Sequence, residues 1–295
     1  MGDESRQKFS QGLFPRGIGQ LLDDNFSFYR EKFGFLIASG LCFLVPYHVL
    51  SAYINTHYSL VDLETKIQEL QSGAAGVDPQ TASLSQFWSP ALTWSLALTI
   101  IYSLLVTPLL YGMIVHMLTN HHIAGKDVNL SDASVHAFKR LVSSVLTTIL
   151  LGLLYFVIVF GMILIASAVS AFARQAAMLV SIVTLIVVLC VVIWFAARFS
   201  LVPSVVIEEH KMTSRALARS WQLTKGNFWR VVIYFVLLFV LIGILRFAVL
   251  FAAAALIKNS VLVAVISTIV DVLIVPFFML GTANIYADLR VRSDG

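Results

Sequence analysis

Long apolar runs, broken by short polar stretches, dominate the chain. A helix needs about 20 predominantly apolar residues to cross a bilayer. The runs are continuous rather than alternating every second residue, so they predict membrane helices and not the strands of a barrel. The first span runs from Phe33 to about Tyr53 and contains Pro46; the second runs from about Leu92 to Leu118, with Ser89 placed to cap it and Pro90 at its first helical position. From Leu141 to Ala173 there are 33 residues without a charge, then Arg174, then 23 more to Ala197. That is too long for one crossing and predicts two helices turning at Arg174. The last pair covers about Phe228 to Ile257 and Val261 to Ala287, turning at Lys258, Asn259 and Ser260. The expectation is an all-α polytopic membrane protein whose six transmembrane helices form three parallel hairpins.

Composition strengthens this reading. Of 295 residues, 59% are hydrophobic and 12% charged, against about 25% charged in ordinary soluble domains. The net charge of +4 does not point to nucleic acid, because the basic residues are scattered among apolar spans. Their distribution reports topology instead. Sixteen of the twenty Lys and Arg fall in residues 1–32, 119–140, 198–230 and the tail, while Lys66, Arg174 and Lys258 face the other side and Arg246 is intramembrane. The positive-inside rule then places both termini in the cytoplasm of a cell that carries the protein in its plasma membrane. The expected organisation is a cytoplasmic lead, 1–32; a membrane domain, 33–290, with an external segment 54–91 and cytoplasmic segments 119–140 and 199–227; and a tail, 291–295. The first span follows a long polar lead and is expected to be retained rather than cleaved. Cys42 and Cys190 lie in apolar runs and are expected as small core residues. Small residues such as Ala166, Ser170 and Ala252 to Ala255 are expected to allow close helix packing.

Amphipathic stretches precede some spans. Ile18, Leu22, Phe26, Tyr29 and Phe33 follow helical spacing, leaving Asp23, Asp24, Arg30 and Glu31 for a wet face. Ser214 is placed to cap a helix in which Leu217 and Trp221 share a face and which Gly226 ends. Outside, Leu60, Leu63, Ile67 and Leu70 predict a short amphipathic helix behind Ser59 and Asp62; Gly73 to Ser85 reads as a linker, with Trp88 and Trp94 suited to the interfacial belt. Phe26 to Phe33 aligns with Trp221 to Phe228 at an offset of 195, and Ala133 and Phe138 align with Ala216 and Trp221 at 83. This predicts a threefold repeat with an interfacial helix before each odd-numbered span. Anionic lipid headgroups are the expected partners of such helices, with a membrane protein as a further partner.

The stretch Arg198-Phe-Ser-Leu-Val-Pro-Ser-Val-Val-Ile-Glu-Glu209, followed by Ala216-Leu-Ala-Arg-Ser-Trp-Gln-Leu-Thr-Lys-Gly-Asn-Phe-Trp229, resembles the glycerophosphoryl diester phosphodiesterase membrane-domain family and its six-helix bacterial relatives. The likeness is strongest over residues 195–235. It implies the fold and the membrane location. The phosphodiesterase domain sometimes fused to that family is not expected here, because the tail ends at Gly295, so the hydrolase activity does not carry over.

Candidate sites follow from isolated polar groups. Arg246 lies 12 residues before Lys258 and Asp271 lies 13 after it, so at about 1.5 Å per residue both sit at matched depth and are expected to pair across a hairpin. Each charge alone costs on the order of 3 kcal/mol at a helix centre. The pair reads either as a substrate or proton site or as a structural lock, since no third ionisable group is evident beside it. At the cytoplasmic exit of the fourth span, Pro203 is expected to break the helix, and Glu208 or Glu209 to pair with Arg198, Arg215 or Arg219, with Ser220 and Trp221 in the same motif. His116, His121, His122 and His136 lack the spacing of a metal site, and no GxSxG elbow or Walker A loop occurs. No catalytic residue, metal or cofactor is expected. The leading expectation is a non-catalytic membrane protein that organises lipids or a partner at the cytoplasmic face. The alternative is a small-solute or lipid transporter using Arg246 and Asp271.

Overall fold

The structure is a computed structural model and describes residues 16–71, 90–124, 128–172, 177–209, 213–257 and 259–294. Every regular element among these residues is helical. They are α1 (Ile18–Glu31), α2 (Phe33–Gln71), α3 (Pro90–Ile101), a π-helical segment (Tyr102–Val106), α4 (Thr107–Ala124), α5 (Leu130–Phe172), α6 (Ala177–Phe199), α7 (Val202–Glu208), α8 (Thr213–Thr224), α9 (Phe228–Leu256) and α10 (Ser260–Asp294). Six segments are long and apolar enough to cross a membrane: Phe33–Tyr58, Leu92–His121, Leu130–Val169, Ile182–Glu208, Phe228–Leu256 and Val261–Ser293.

Several boundaries differ from the sequence expectation, each for a local reason. α2 runs unbroken to Gln71, so no separate helix begins at Ser59; the polar residues there are good helix formers and nothing stops propagation. The stretch before the third span is likewise the first turns of α5 itself. α8 starts at Thr213, which puts Ser214 inside its first turn rather than at the cap. Gly226, at φ +85°, takes the left-handed conformation after α8 as expected. Asn259 caps α10, its Oδ1 accepting the Val261 N–H at 2.9 Å. Ser89, Arg174, Lys258, Gly73–Ser85 and Trp88 lie outside the described residues.

Two prolines shape the spans. Pro108 removes an N–H near the start of α4, and the helix before it loosens into a π turn in which the Thr107 N–H reaches the Tyr102 carbonyl. Pro276 similarly frees the Val272 carbonyl in α10. Neighbours occupy this region closely. Tyr29 donates to the Leu273 carbonyl at 3.0 Å, and Asn25 to the Phe277 carbonyl at 3.3 Å.

The centre of the molecule is built from the C-terminal halves of the second, fourth and sixth spans. Leu110, Met113 and Ile114 of α4, Val205 to Ile207 of α7, and Leu280, Ile285 and Leu289 of α10 are buried there. α5, α6 and α9 present long apolar faces outward instead. Lipid is as apolar as a core, so an apolar run does not reveal which way a residue points. Cys42 and Cys190 show this: both are exposed on the outer surface, not in the core. Of Ala252 to Ala255, Ala253 alone is buried. Close helix approach instead occurs at Gly40, Gly112 and Gly281, where an added Cβ meets neighbours at 3.0, 3.1 and 2.8 Å.

The short helices bury matching faces. Leu21, Asn25 and Phe28 of α1 are buried, and so are Ala216, Ser220 and Leu223 of α8, each 195 positions later. Ala133 and Ala137 of α5 lie 83 positions before Ala216 and Ser220 and are buried too. α1 packs on α10, the start of α5 on α4, and α8 on α6 and α7.

Candidate functional site

Three groups of side chains combine buried polarity with access. The first is an open-sided cavity of about 820 Å³ lined by α4, α5, α6, α7, α9, α10 and the π segment. Phe199, Phe235, Phe239 and Phe278 form an aromatic wall, and no charged residue lines it. Its polar groups are hydroxyls, many already engaged with their own helix: Thr147 donates to the Ser143 carbonyl at 2.7 Å, Thr148 to Ser144 at 2.9 Å and Thr282 to Met279 at 2.7 Å. Such a lining accepts an uncharged, mostly apolar guest. The α9 residues that face it run from Val232 to Val240. At 1.5 Å per residue, the cavity reaches about 18 Å from the start of α9, roughly one leaflet of hydrocarbon.

The second group is the motif at the exit of the fourth span. α6 ends at Phe199 and α7 begins with Pro203 in its first turn, where a missing N–H costs nothing. Beyond this break in the span, α8 packs back against α6 and α7. Ser220 donates to the Arg198 carbonyl at 2.7 Å, and the Arg198 guanidinium lies 4.7 Å over the ring of Trp221, 5.2 Å over Phe228 and 5.8 Å over Trp194. Arg198 Nη1 also donates to the Thr224 hydroxyl at 3.4 Å. Of the expected carboxylate partners, the structure brings Arg219 to Glu209, with Nε at 3.1 Å from both oxygens, and adds the Tyr286 hydroxyl at 3.2 Å. Arg198 is instead held by its aromatic cage. Glu208 is buried, with Thr119 as a hydrogen-bonding neighbour and Arg290 as the nearby positive charge. Arg215 is exposed.

The third group is intramembrane. Arg246 and Asp271 form the cross-hairpin pair through both nitrogens of the guanidinium fork, the second contact at 3.3 Å. His48 joins them, its Nε2 at 3.3 Å from Asp271 Oδ2. This corrects the expectation that no third ionisable group stands nearby: His48 sits in a different span at comparable depth, a proximity that counting along one hairpin does not reveal.

Sequence reasoning missed a buried hub near the chain ends. The Asp288 carboxylate, 1% exposed, accepts from the Arg16 backbone N–H, Arg230 Nε and Arg292 Nε, each at 3.0 Å. Arg230 and Arg292 also donate to the Arg16 carbonyl. The arginines had been legible only as topology markers; the missed signal was an aspartate flanked by apolar residues late in the last span. Asn25 and Asn284 form a second buried contact at 3.1 Å. His116 and His136 stack with ring centroids 3.9 Å apart, which points their lone pairs side by side rather than at a common centre. His121 contacts Glu31 at 3.6 Å. Among the described residues no group of three metal-ligating side chains is gathered together.

No curated protein and no solved structure matches the chain. Residues 72–289 match the model of a family described as a domain of unknown function, DUF7847. That region takes in the second to fifth spans and most of the sixth, the cavity, the motif at the exit of the fourth span and the Arg246–Asp271 pair, and the chain belongs to this family.

Proposed function

We propose that the protein is a non-catalytic lipid-organising protein of the cell membrane, holding the acyl chain of an anionic phospholipid in the cavity between α5, α6 and α9. The cavity carries this reading. Its size falls in the range of ligand pockets, its lining is mostly apolar and carries no charge, and it reaches about 18 Å from the start of α9, close to one leaflet. Near the same end of α9, Lys225 and Trp229 are exposed, which suits an anionic headgroup at the interface. In this reading both termini are cytoplasmic, the six spans form three parallel hairpins, and α1, the start of α5, and α8 line the cytoplasmic interface. The matching buried positions at offsets of 195 and 83 support a threefold repeat. Kinship with the glycerophosphoryl diester phosphodiesterase membrane-domain family, resting on residues 195–235, is part of the proposal; hydrolase activity is not.

Native mass spectrometry of gently extracted protein tests the reading. Wild type is expected to retain phospholipid, and Ala196→Phe or Thr148→Phe, which fill the cavity, to retain several-fold less. Equal retention in wild type and in folded cavity-filled variants overturns it. Transport through the bundle is the second reading, and the Arg246–Asp271–His48 cluster is the observation that favours it.

A further inference from the structure

The intramembrane cluster holds more than a structural lock requires. A pair that fixes the register of α9 against α10 needs Arg246 and Asp271, and nothing else. Here Asp271, 7% exposed, also meets His48 from α2. Tyr102 in the π segment is near enough to feel the Asp271 charge, and its ring lies 4.1 Å from that of Tyr47. π turns recur at functional sites because they redirect a side chain. Tyr102 is the first residue of this one, and its ring packs on Tyr47, the neighbour of His48.

A row of polar side chains leads away from it. His48, Ser51 and Asn55 share one face of α2 at spacings of three and four, and Ser95, Thr99 and Tyr102 share one face across α3 and the π segment. The two rows meet where Ser95 donates to Asn55 Oδ1 at 3.2 Å and Asn55 contacts the Ser51 hydroxyl at 3.5 Å. The row extends about 10 Å along α2 from His48 toward the helix C-terminus. Two helices that place imidazole, hydroxyl and amide groups in register inside apolar spans provide a course for water or protons.

We propose that His48, Asp271 and Arg246 form an intramembrane proton-binding site, reached along the Ser51–Asn55–Ser95 row, in which protonated His48 competes with Arg246 for the Asp271 carboxylate. In the neutral state the Arg246 and Asp271 charges cancel and His48 donates its Nε2–H to Asp271. A hydronium ion arriving along the row gives its proton to His48 Nδ1 and leaves as water; nothing is oxidised, and Arg246 keeps all its protons. The carboxylate then faces two cations. Arg246, at 43% exposure and on a flexible stem, is the one free to withdraw, which loosens α9 from α10. The groups facing His48 are Asp271 from α10, Arg246 from α9, Tyr102 from the π segment and Tyr47 from α2 itself. Glu31, Lys32 and His121 lie toward the N-terminal end of α2. This inference is independent of the lipid reading.

The test is ¹⁵N NMR of histidine-labelled full-length protein in lipid nanodiscs, with the His48 signal identified by its loss in His48→Gln. The signal is followed from pH 5 to pH 8, the range in which imidazole side chains change charge. Its midpoint is expected to move to lower pH in Asp271→Asn, which removes the attracting charge, and to higher pH in Arg246→Gln, which removes the competitor. A wild-type His48 signal that stays constant over this range, or midpoints that move together or not at all, overturns the proposal. Should either variant fail to fold, Arg246→Lys is read instead, since it keeps the charge but loses the two-pronged contact. An upward shift supports the competition, and an unmoved midpoint overturns it.

Discussion

Replacing Gly40 by alanine tests the packing that brings α2 against α10. A Cβ at Gly40 stands 3.0 Å from the Val272 carbonyl oxygen, 3.3 Å from Val272 Cγ1 and 3.4 Å from Pro276 Cγ. The first contact is with backbone and the last with a rigid ring, so neither yields by a rotamer change and the two helices must part by a few tenths of an ångström. Overpacking of this kind costs about 1–3 kcal/mol, and the better helix propensity of alanine returns about 0.5–1. The net loss is about 1–2 kcal/mol, equivalent to about 2–3 °C in melting temperature for a chain of this size. Gly152 is the control. Nothing stands within 4 Å of its Cβ, so Gly152→Ala gains propensity without a clash. Tryptophan-fluorescence melting in a mild detergent measures both. The reasoning fails if Gly40→Ala melts at or above wild type, or if Gly152→Ala drops as far as Gly40→Ala.

Other outcomes follow from the polar contacts. Asp288→Asn leaves Arg230 and Arg292 without their shared buried charge and is expected to lose about 3 kcal/mol, read as a lower melting temperature; an unchanged value contradicts the hub. Tyr286→Phe removes a hydrogen bond to a carboxylate and is expected to cost about 1.5 kcal/mol in wild type, but less in an Arg219→Ala background where that network is already broken. Burial pushes the Tyr29 phenol up to about 12, so the folded state holds this proton more tightly than the unfolded one. The resulting stabilisation is complete below about pH 10 and is lost as pH rises toward 12. The melting advantage of wild type over Tyr29→Phe should therefore shrink between about pH 10 and 12, and a constant difference rules out this linkage.

The sequence made some of this structure legible and hid the rest, for identifiable reasons. Six spans follow from the length of apolar runs, because a bilayer imposes that length. The Arg246–Asp271 contact follows from counting about one turn, since both residues belong to one hairpin. His48 and the Asp288 hub do not follow. They join α2 to α10, and Arg16 to the far end of the chain, and depth along one helix carries no information about its neighbours. The cavity was hidden for a related reason: its lining comes from six helices and the π segment, and hydroxyls that bond their own helix look like ordinary span residues. Cys42, Cys190 and most of Ala252 to Ala255 were misplaced because lipid-facing and bundle-facing positions have the same polarity.

The most direct test of the central claim is a density map of the protein in nanodiscs of defined anionic phospholipid. The account predicts elongated acyl-chain density along Phe235 and Phe239, facing Thr148 and Leu151, with its headgroup near Lys225 and Trp229. A cavity that is closed, or occupied by water alone, contradicts it.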